Sequence, residues 1–279
     1  MLVTLSEILQ STRKEHYAVG LFNCVTLEMV LGIIAAAERE HSPVIIGPAE
    51  SLLGPAALPD FADMMLGAAK RAKVPVAVHF DHGFSPEYVR QAIALGFSSV
   101  MYDCSMLPFA QNVENVHEMV ATAHKAHCSL EAEIGHVGSN GSAEEGIAKT
   151  VYTQPEEAVA YATQSGCDAL AVAIGTAHGV YIEKPTLNLD VLSAIASATQ
   201  IPLVLHGGSG LSDDDFRAVV ARGISKINIF THNNLTAARA ANASFTDKTG
   251  AFELMPSVVD AVAKETAHLM HVFGSVNKA

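Results

Sequence analysis

Eight times along the chain a short apolar, β-rich run gives way to a longer stretch of helical period, and this alternation constrains the fold more than any other feature. The runs fall at residues 18–23, 43–47, 75–80, 98–103, 129–133, 169–174, 202–206 and 226–230. Strands linked by helices run parallel, because each connection must cross over the sheet, and near-continuous apolar runs belong to strands covered on both faces. Helix ends are written between them. Ser85-Pro86-Glu87 offers a capping hydroxyl and then proline at the first helical position, Val89, Ala92 and Ile93 share one face, and Gly96 ends the helix. Ser212 with Asp215 makes a capping-box pattern ahead of the Phe216, Val219 and Val220 stripe and Gly223, and residues 154–166 repeat the design. Eight such units predict an α/β chain closed into a single-domain (β/α)8 TIM barrel over residues 1–279. The alternative, a doubly wound open sheet, has no GxGxxG in its first βα turn to support it.

Composition bounds the partners. A length of 279 residues suits one barrel of ~250 residues, and 49% hydrophobic against 16% charged residues supplies one large core without a linker-like block. A formal charge of −12 argues against nucleic acid or an anionic membrane, both of which demand clustered Lys and Arg. The N-terminal stretch breaks its apolar run at Ser6 and Glu7, unlike a signal peptide, and no run reaches membrane-spanning length. Cys24, Cys104, Cys128 and Cys167 lie far apart in apolar surroundings with no CxxC, which reads as buried free thiols. The predicted setting is the cytoplasm.

In a parallel barrel, chemistry is expected at the C-terminal ends of the strands. Those ends are polar here: Asn23, Asp81-His82, Asp103, Glu131 and Glu133, His178, His206, and Asn228 with Thr231. The stretch His79-Phe80-Asp81-His82-Gly83 puts a carboxylate and an imidazole side by side, a proton carrier next to a metal ligand. His82, His178 and His206 come from three strand ends that a barrel brings together, and three imidazoles with a fourth position open suit a catalytic Zn²⁺. His79, two residues before Asp81 on the strand itself, reads as barrel packing or support for the site. His117, His124 and His127 belong to a helical segment and read as surface, while His136 and His232 stay unassigned. Glycine turns flank the later ligands, 174–179 and 206–210, and bare backbone N–H groups in such turns form anion-binding concavities. Gly179, Gly207 and Gly208, with hydroxyls from Ser209 and Thr231, therefore form a candidate phosphate cradle.

These motifs, together with Tyr17-Ala18-Val19-Gly20-Leu21-Phe22-Asn23, Glu131-Ala132-Glu133-Ile134-Gly135, the Lys226 to Thr231 strand end and the closing Phe273 to Ala279, resemble class II (metal-dependent) fructose-bisphosphate and tagatose-bisphosphate aldolases across nearly the whole chain. The resemblance implies a homodimer or homotetramer that cleaves a ketose phosphate to dihydroxyacetone phosphate and an aldehyde. By position, His82, His178 and His206 look like zinc ligands, Asp81 like the acid/base on the C4 oxygen, and Glu133 like an alternative ligand or support. Gly179, Gly207, Ser209, Asn228 and Thr231 look like ligands of the dihydroxyacetone phosphate moiety, with Asn23 and Gly208 beside them. Glu144 and Glu145 look like the carboxylates that exchange the carbon proton, and a monovalent cation is a further cofactor option. Aldol cleavage leaves an enolate, whose charge a Lewis-acid metal stabilises without a covalent intermediate.

Departures from the family pattern matter. Gly138-Ser139 stands for the usual Gly-Gly, Phe230 follows Asn228-Ile229, His232 replaces an acidic residue, and Gly47-Pro48-Ala49-Glu50 and Asp103-Cys104-Ser105 differ from the usual turns. No basic residue matches the arginine that grips the distal phosphate of a bisphosphate, which leaves an unphosphorylated acceptor open. A rival mechanism would use Lys226 as a Schiff base, though a lysine at the solvent end of its strand is the plainer expectation. A metal-dependent hydrolase on the same barrel and a non-catalytic sugar-phosphate-binding protein are the alternatives from other classes.

Overall fold

The computed structural model describes residues 1–54, 56–135, 152–179 and 185–279. Strands β1 (Val19–Asn23), β2 (Val44–Gly47), β3 (Val76–Gly83), β4 (Ser99–Tyr102), β5 (Ser129–Ile134), β6 (Ala169–Val172), β7 (Leu203–Leu205) and β8 (Ile224–Ile229) close into a parallel barrel in sequence order. Closure joins β8 to β1, with Leu21 opposite Asn228. Helices α3 (Leu27–Glu40), α4 (Leu58–Arg71), α5 (Pro86–Leu95), α6 (Phe109–Lys125), α7 (Pro155–Ser165), α8 (Leu189–Ala198) and α9 (Asp213–Val220) cover the crossovers. Two more, α10 (Thr231–Ser244) and α11 (Ala251–Phe273), follow β8, and α11 packs along α3.

Each predicted run overlaps one strand, and the expected caps are in place. Ser85 accepts from the Tyr88 N–H at the start of α5, Gly96 ends that helix at φ +94°, and Ser212 and Asp215 cap α9 reciprocally. Three boundaries differ by two residues or more: β8 begins at Ile224, before the predicted start, β6 stops at Val172 instead of residue 174, and β3 runs through Gly83 instead of stopping at Phe80.

Alternation along the strands builds two cores. Phe22, Ile46, Val78, Phe80 and Leu130 face the helices, whereas Val19, Leu21, Ile45, Ala77, Ala169, Ala171 and Val204 fill the barrel interior. The N-terminal end of the barrel is closed by two short helices, α1 (Leu5–Leu9) and α2 (Thr12–Glu15), with Leu5, Ile8 and Leu9 packed into the interior cluster. Burying such a side chain stabilises the fold by about 1.5–3 kcal/mol. Higher in the barrel the inward positions turn polar: Asn23, His79, Asp81, Ser99, Glu131, Glu133, His206, Lys226 and Asn228 are all buried. All four cysteines are free and buried, as predicted. No helix among the described residues is long and apolar enough to cross a membrane.

Candidate active site

The site begins with an irregularity. Adjacent residues on a regular strand face opposite sides, so Asp81 inside would put His82 outside. The pairing of β3 with β4 instead shifts register between Phe80 and Gly83, and His82 adopts φ +42°, in the left-handed region that non-glycine residues rarely occupy. The shift turns both side chains into the barrel mouth. Backbone strain of this kind gathers at functional sites, where surrounding contacts hold it. Here Asp81 N–H donates to Pro48 O at 2.9 Å and Asp103 N–H to Gly83 O at 2.9 Å.

His82, His178 and His206 converge as expected. Ring centroids lie 4.5 Å apart for His82 and His206, 4.7 Å for His82 and His178, and 5.7 Å for His178 and His206. One ring nitrogen from each lies within 4.8 Å of the other two. Two of the rings are held from behind by carboxylates: His82 Nδ1 donates to Asp103 Oδ2 at 2.7 Å and His206 Nε2 to Glu131 Oε1 at 2.9 Å. That leaves His82 Nε2 and His206 Nδ1 facing each other at 2.7 Å, while buried His178 Nε2 has no hydrogen-bond partner. Carboxylate-backed imidazoles turned toward one point, with an orphaned ring nitrogen beside them, fit a divalent metal of the zinc type. Glu133 Oε2 stands 3.6 Å from His206 Nδ1, and Glu133 with His82 and Asp103 makes a second close ligand group.

Charge within the cluster is unevenly placed. Burial disfavours an imidazolium at His82, but Asp81, the hydrogen bond to Asp103, and Glu133 outweigh it and push its pKa up to about 9. Burial and the neighbouring imidazoles, the charged His82 ring first, push His178 down to about 3, so its ring stays neutral. Burial would raise Asp81, yet His82, His79 and Lys226 hold its carboxyl well below the usual range. Asp81 also accepts from Asn23 Nδ2 at 3.1 Å and from Asn228 Nδ2 at 3.0 Å. It is therefore an ionised acceptor fixed on both sides, the state a general base needs.

A cavity of about 430 Å³ opens above this group. Its lining includes Asn23, Asp81, His82, His178, Gly179, Gly207, Gly208, Ser209, Asn228 and Thr231, so the expected substrate residues share one space with Asp81 and two of the histidines. The glycine side is bare backbone: Gly179 and Gly207 take φ +97° and +66°, and the N-terminus of α10 begins at Thr231. Ser209 Oγ accepts from the N–H groups of Phe230 at 3.3 Å and His232 at 3.4 Å, tying this turn to that helix end. The rest of the lining is Ala49, Ser51, Leu52, Phe84 and Phe230, mostly apolar. No Lys or Arg lines it among the described residues.

Several expectations need correction or fall elsewhere. Lys226 is not at the solvent end of its strand but fully buried inside the barrel, ion-paired with Glu131 at 2.9 Å. Glu144, Glu145 and His136 lie outside the described residues. His117 and His124 lie on the outer helix α6, His124 pairing with Asp168, and His232 pairs with Glu265. The sequence reading put Asp103 and Glu131 on the rim but gave them no role. Carboxylates at the ends of otherwise apolar strands were the available signal. Glu50, which accepts from the Phe84 and Ser85 N–H groups at 2.7 and 2.9 Å and so braces the turn after β3, carried no local signal.

Fold and site together define a (β/α)8-barrel enzyme whose histidine cluster and carboxylate meet at the C-terminal mouth. The family described as "Fructose-bisphosphate aldolase class-II" matches residues 3–278. The Escherichia coli (strain K12) protein YdjI is 40% identical over 265 residues, covering 95% of each chain. A crystal structure described as the YdjI aldolase from Escherichia coli K12 covers the whole of both chains with a TM-score of 0.91 at 36% identity. The 6-phospho-5-dehydro-2-deoxy-D-gluconate aldolase of Shouchella clausii (strain KSM-K16) is 35% identical over 284 residues, 99% of this chain and 96% of that protein. The chain belongs to the class II fructose-bisphosphate aldolase family. It is an aldolase, a carbon–carbon lyase of a family that is generally zinc-dependent and acts on sugar phosphates.

Proposed function

We propose that this aldolase reversibly cleaves a ketose phosphate to dihydroxyacetone phosphate and an aldehyde without a phosphate of its own, with one Zn²⁺ as cofactor. The observation that carries the reading is the convergence of His82, His178 and His206 beside an ionised, doubly hydrogen-bonded Asp81. His82, His178 and His206 would hold the zinc, with Glu133 as the alternative ligand. Bound there, the metal supplies Lewis-acid polarisation of the ketone and its neighbouring hydroxyl oxygen. Asp81 takes the proton from the C4 hydroxyl as the C3–C4 bond breaks, and returns it during condensation. Gly179, Gly207, Gly208, Ser209 and Thr231 bind the phosphate through backbone N–H groups and hydroxyls, while Asn23 and Asn228 orient Asp81 beside the reacting oxygens. Glu144 and Glu145 are the carboxylates assigned, by family resemblance, to exchange of the carbon proton.

Among the described residues the cavity lining carries no Lys or Arg, which supports an aldehyde without phosphate, since a second phosphate calls for a cation or a further anion-binding turn. The Shouchella clausii relative is named for a substrate with one phosphate. Exposed Leu27, Leu31, Phe252 and Met255 on α3 and α11 offer apolar surface for the expected homodimer or homotetramer, and four free thiols suit the cytoplasm. Buried Lys226, held by Glu131 and Asn228, is poorly placed for a Schiff base.

The test is condensation of dihydroxyacetone phosphate with a panel of phosphorylated and unphosphorylated aldehydes, with and without chelator. Activity should vanish on chelation, return with zinc, and favour the unphosphorylated acceptors. Borohydride added with substrate should leave the enzyme active. Inactivation by borohydride, or turnover that survives chelation, would overturn the zinc mechanism.

A further inference from the structure

Below the histidines, Lys226 lies fully buried in the barrel, on β8. Its Nζ lies 2.9 and 3.1 Å from the two oxygens of Glu131 and 2.7 Å from Asn228 Oδ1. These two partners lead to different halves of the site. Glu131 Oε1 accepts from His206 Nε2, so the proton of that ring is committed there and Nδ1 keeps its lone pair for the point shared with His82 and His178. Asn228 leads to the base. A lysine ammonium offers only donors, so Asn228 must turn its carbonyl oxygen toward Lys226, and its amide nitrogen then points at Asp81 Oδ1, 3.0 Å away. The ionised Asp81 carboxylate accepts only and asks for the same orientation, so ammonium and carboxylate hold the Asn228 amide from its two ends.

We infer that Lys226 is a positioning residue: through Glu131 it fixes the tautomer of metal-facing His206, and through Asn228 it fixes the orientation of Asp81. Stability alone does not account for the ion pair. Well-packed apolar side chains commonly replace a buried pair at no loss, and this barrel fills its neighbouring layer with Val19, Leu21, Ile45 and Ala171. An apolar pair at 131 and 226 would leave the His206 ring without the acceptor that selects its tautomer, and would leave the buried Asn228 oxygen without its donor, so that Asp81 alone would hold that amide. His79 adds to the same centre from the third side, its Nδ1 on Ser99 Oγ at 2.7 Å and its Nε2 3.7 Å from Asp81 Oδ1. One charge at mid-barrel thus sets the metal side and the base side together.

The inference rests on the proposed roles of His206 and Asp81, and its test separates the two. Lys226→Met and the double variant Lys226→Met/Glu131→Gln are prepared as zinc-loaded enzymes. Zinc affinity is measured by competitive titration, folding by thermal melting, and kcat and KM independently. In Lys226→Met the lone Glu131 charge disturbs His206, so zinc affinity should fall about 10–100-fold, and an unheld Asn228 should lower kcat on the order of 100-fold. KM should change little, because the glycine cradle is untouched. In the double variant the new amide still accepts from His206 Nε2, so zinc affinity should return to near wild type while kcat stays low. Recovery of kcat along with zinc affinity would reduce Lys226 to charge balance and overturn the inference. Wild-type affinity and kcat in Lys226→Met would overturn it equally. If the single variant fails to fold, the double variant decides by the same criterion, since full kcat there overturns the inference and low kcat with zinc bound supports it. Wild-type turnover that survives chelation would instead overturn the metal reading, and with it the Glu131 arm alone.

Discussion

Replacing Asp81 with alanine separates proton transfer from metal binding, because the carboxylate touches the substrate space but not the facing ring nitrogens of His82 and His206. Two costs follow. The first is catalytic: removing a general acid/base typically forfeits about 10²–10⁴-fold in rate, or roughly 2.7–5.4 kcal/mol of barrier at 1.36 kcal/mol per decade. The second is structural. Asn23 Nδ2 keeps a bond to Gly47 O at 3.3 Å, but Asn228 Nδ2 loses the carboxylate, and one unsatisfied buried donor costs about 1–3 kcal/mol. Domains are stable by about 5–15 kcal/mol, so the variant should fold. Zinc content, by mass spectrometry of the desalted protein, should equal that of wild type. Proton exchange into dihydroxyacetone phosphate in D₂O, followed by NMR, should persist, because Asp81 is assigned to the C4 oxygen and not to the carbon proton. Carbon–carbon bond formation should fall about 10²–10⁴-fold. His206→Ala is the contrast: it removes a ring from the cluster and leaves Glu131 with Lys226 alone, so metal and both activities should be lost together. An Asp81→Ala enzyme that keeps more than about a tenth of wild-type kcat/KM, well short of the usual loss, would refute the base assignment. One that loses its zinc would move Asp81 into the ligand set.

Metal uptake should be proton-linked. With the His82 pKa raised from 6.5 to about 9, its proton stabilises the metal-free fold fully below 6.5, and this contribution disappears as pH rises through 9. Between those values zinc must displace that proton, so affinity should rise by up to tenfold per pH unit. Calorimetric titrations in two buffers of different ionisation enthalpy should show about one proton released per zinc, and buffer-independent heats would refute the linkage. Asp103 and Glu131 act in the opposite sense: both are depressed to about 2, so their stabilisation is present at neutral pH and is lost as pH falls from about 4 toward 2. Gly47→Ala tests the scaffold, because a Cβ there would overlap the His79 carbonyl oxygen on the next strand. Forcing β2 from β3 should cost at least about 3 kcal/mol, a drop of roughly 6–12 °C in Tm, and an unchanged melt would show that the strands yield.

The barrel was legible because its strands are covered on both faces and its helices carry their own stops, Gly96 and Gly166 among them. Histidines at three strand ends and glycines beside two of them were legible for a related reason: a parallel barrel sends every strand end to one mouth. Lys226 was misread because charged side chains are rarely buried, and its partner Glu131 lies 95 residues away in the chain. Glu50 was missed on the same ground, since it caps a turn on another strand. The two short helices that close the N-terminal end carry a visible Thr4 and Glu7 capping box, but nothing local says that Leu5 and Leu9 enter a barrel.

The turn at His82 was illegible for a deeper reason, because strand parity is a rule that this residue breaks. On a regular strand two side chains that share a face are two residues apart, about 6.6–6.8 Å along the strand. Had His79 and Asp81 kept the inward row alone, the next inward position would have been Gly83, which has no side chain to bind a metal. The left-handed residue and register shift break that rule, so Asp81 and His82 enter the mouth from consecutive positions. The Asp81 carboxylate and the His82 ring thus reach the same mouth side by side, and the strain at His82 is held in place by Asp103 behind its ring. The Phe80-Asp81-His82-Gly83 stretch is therefore one device, and restoring regular β geometry at residue 82 would take the His82 ring out of the mouth while leaving Asp81 in it.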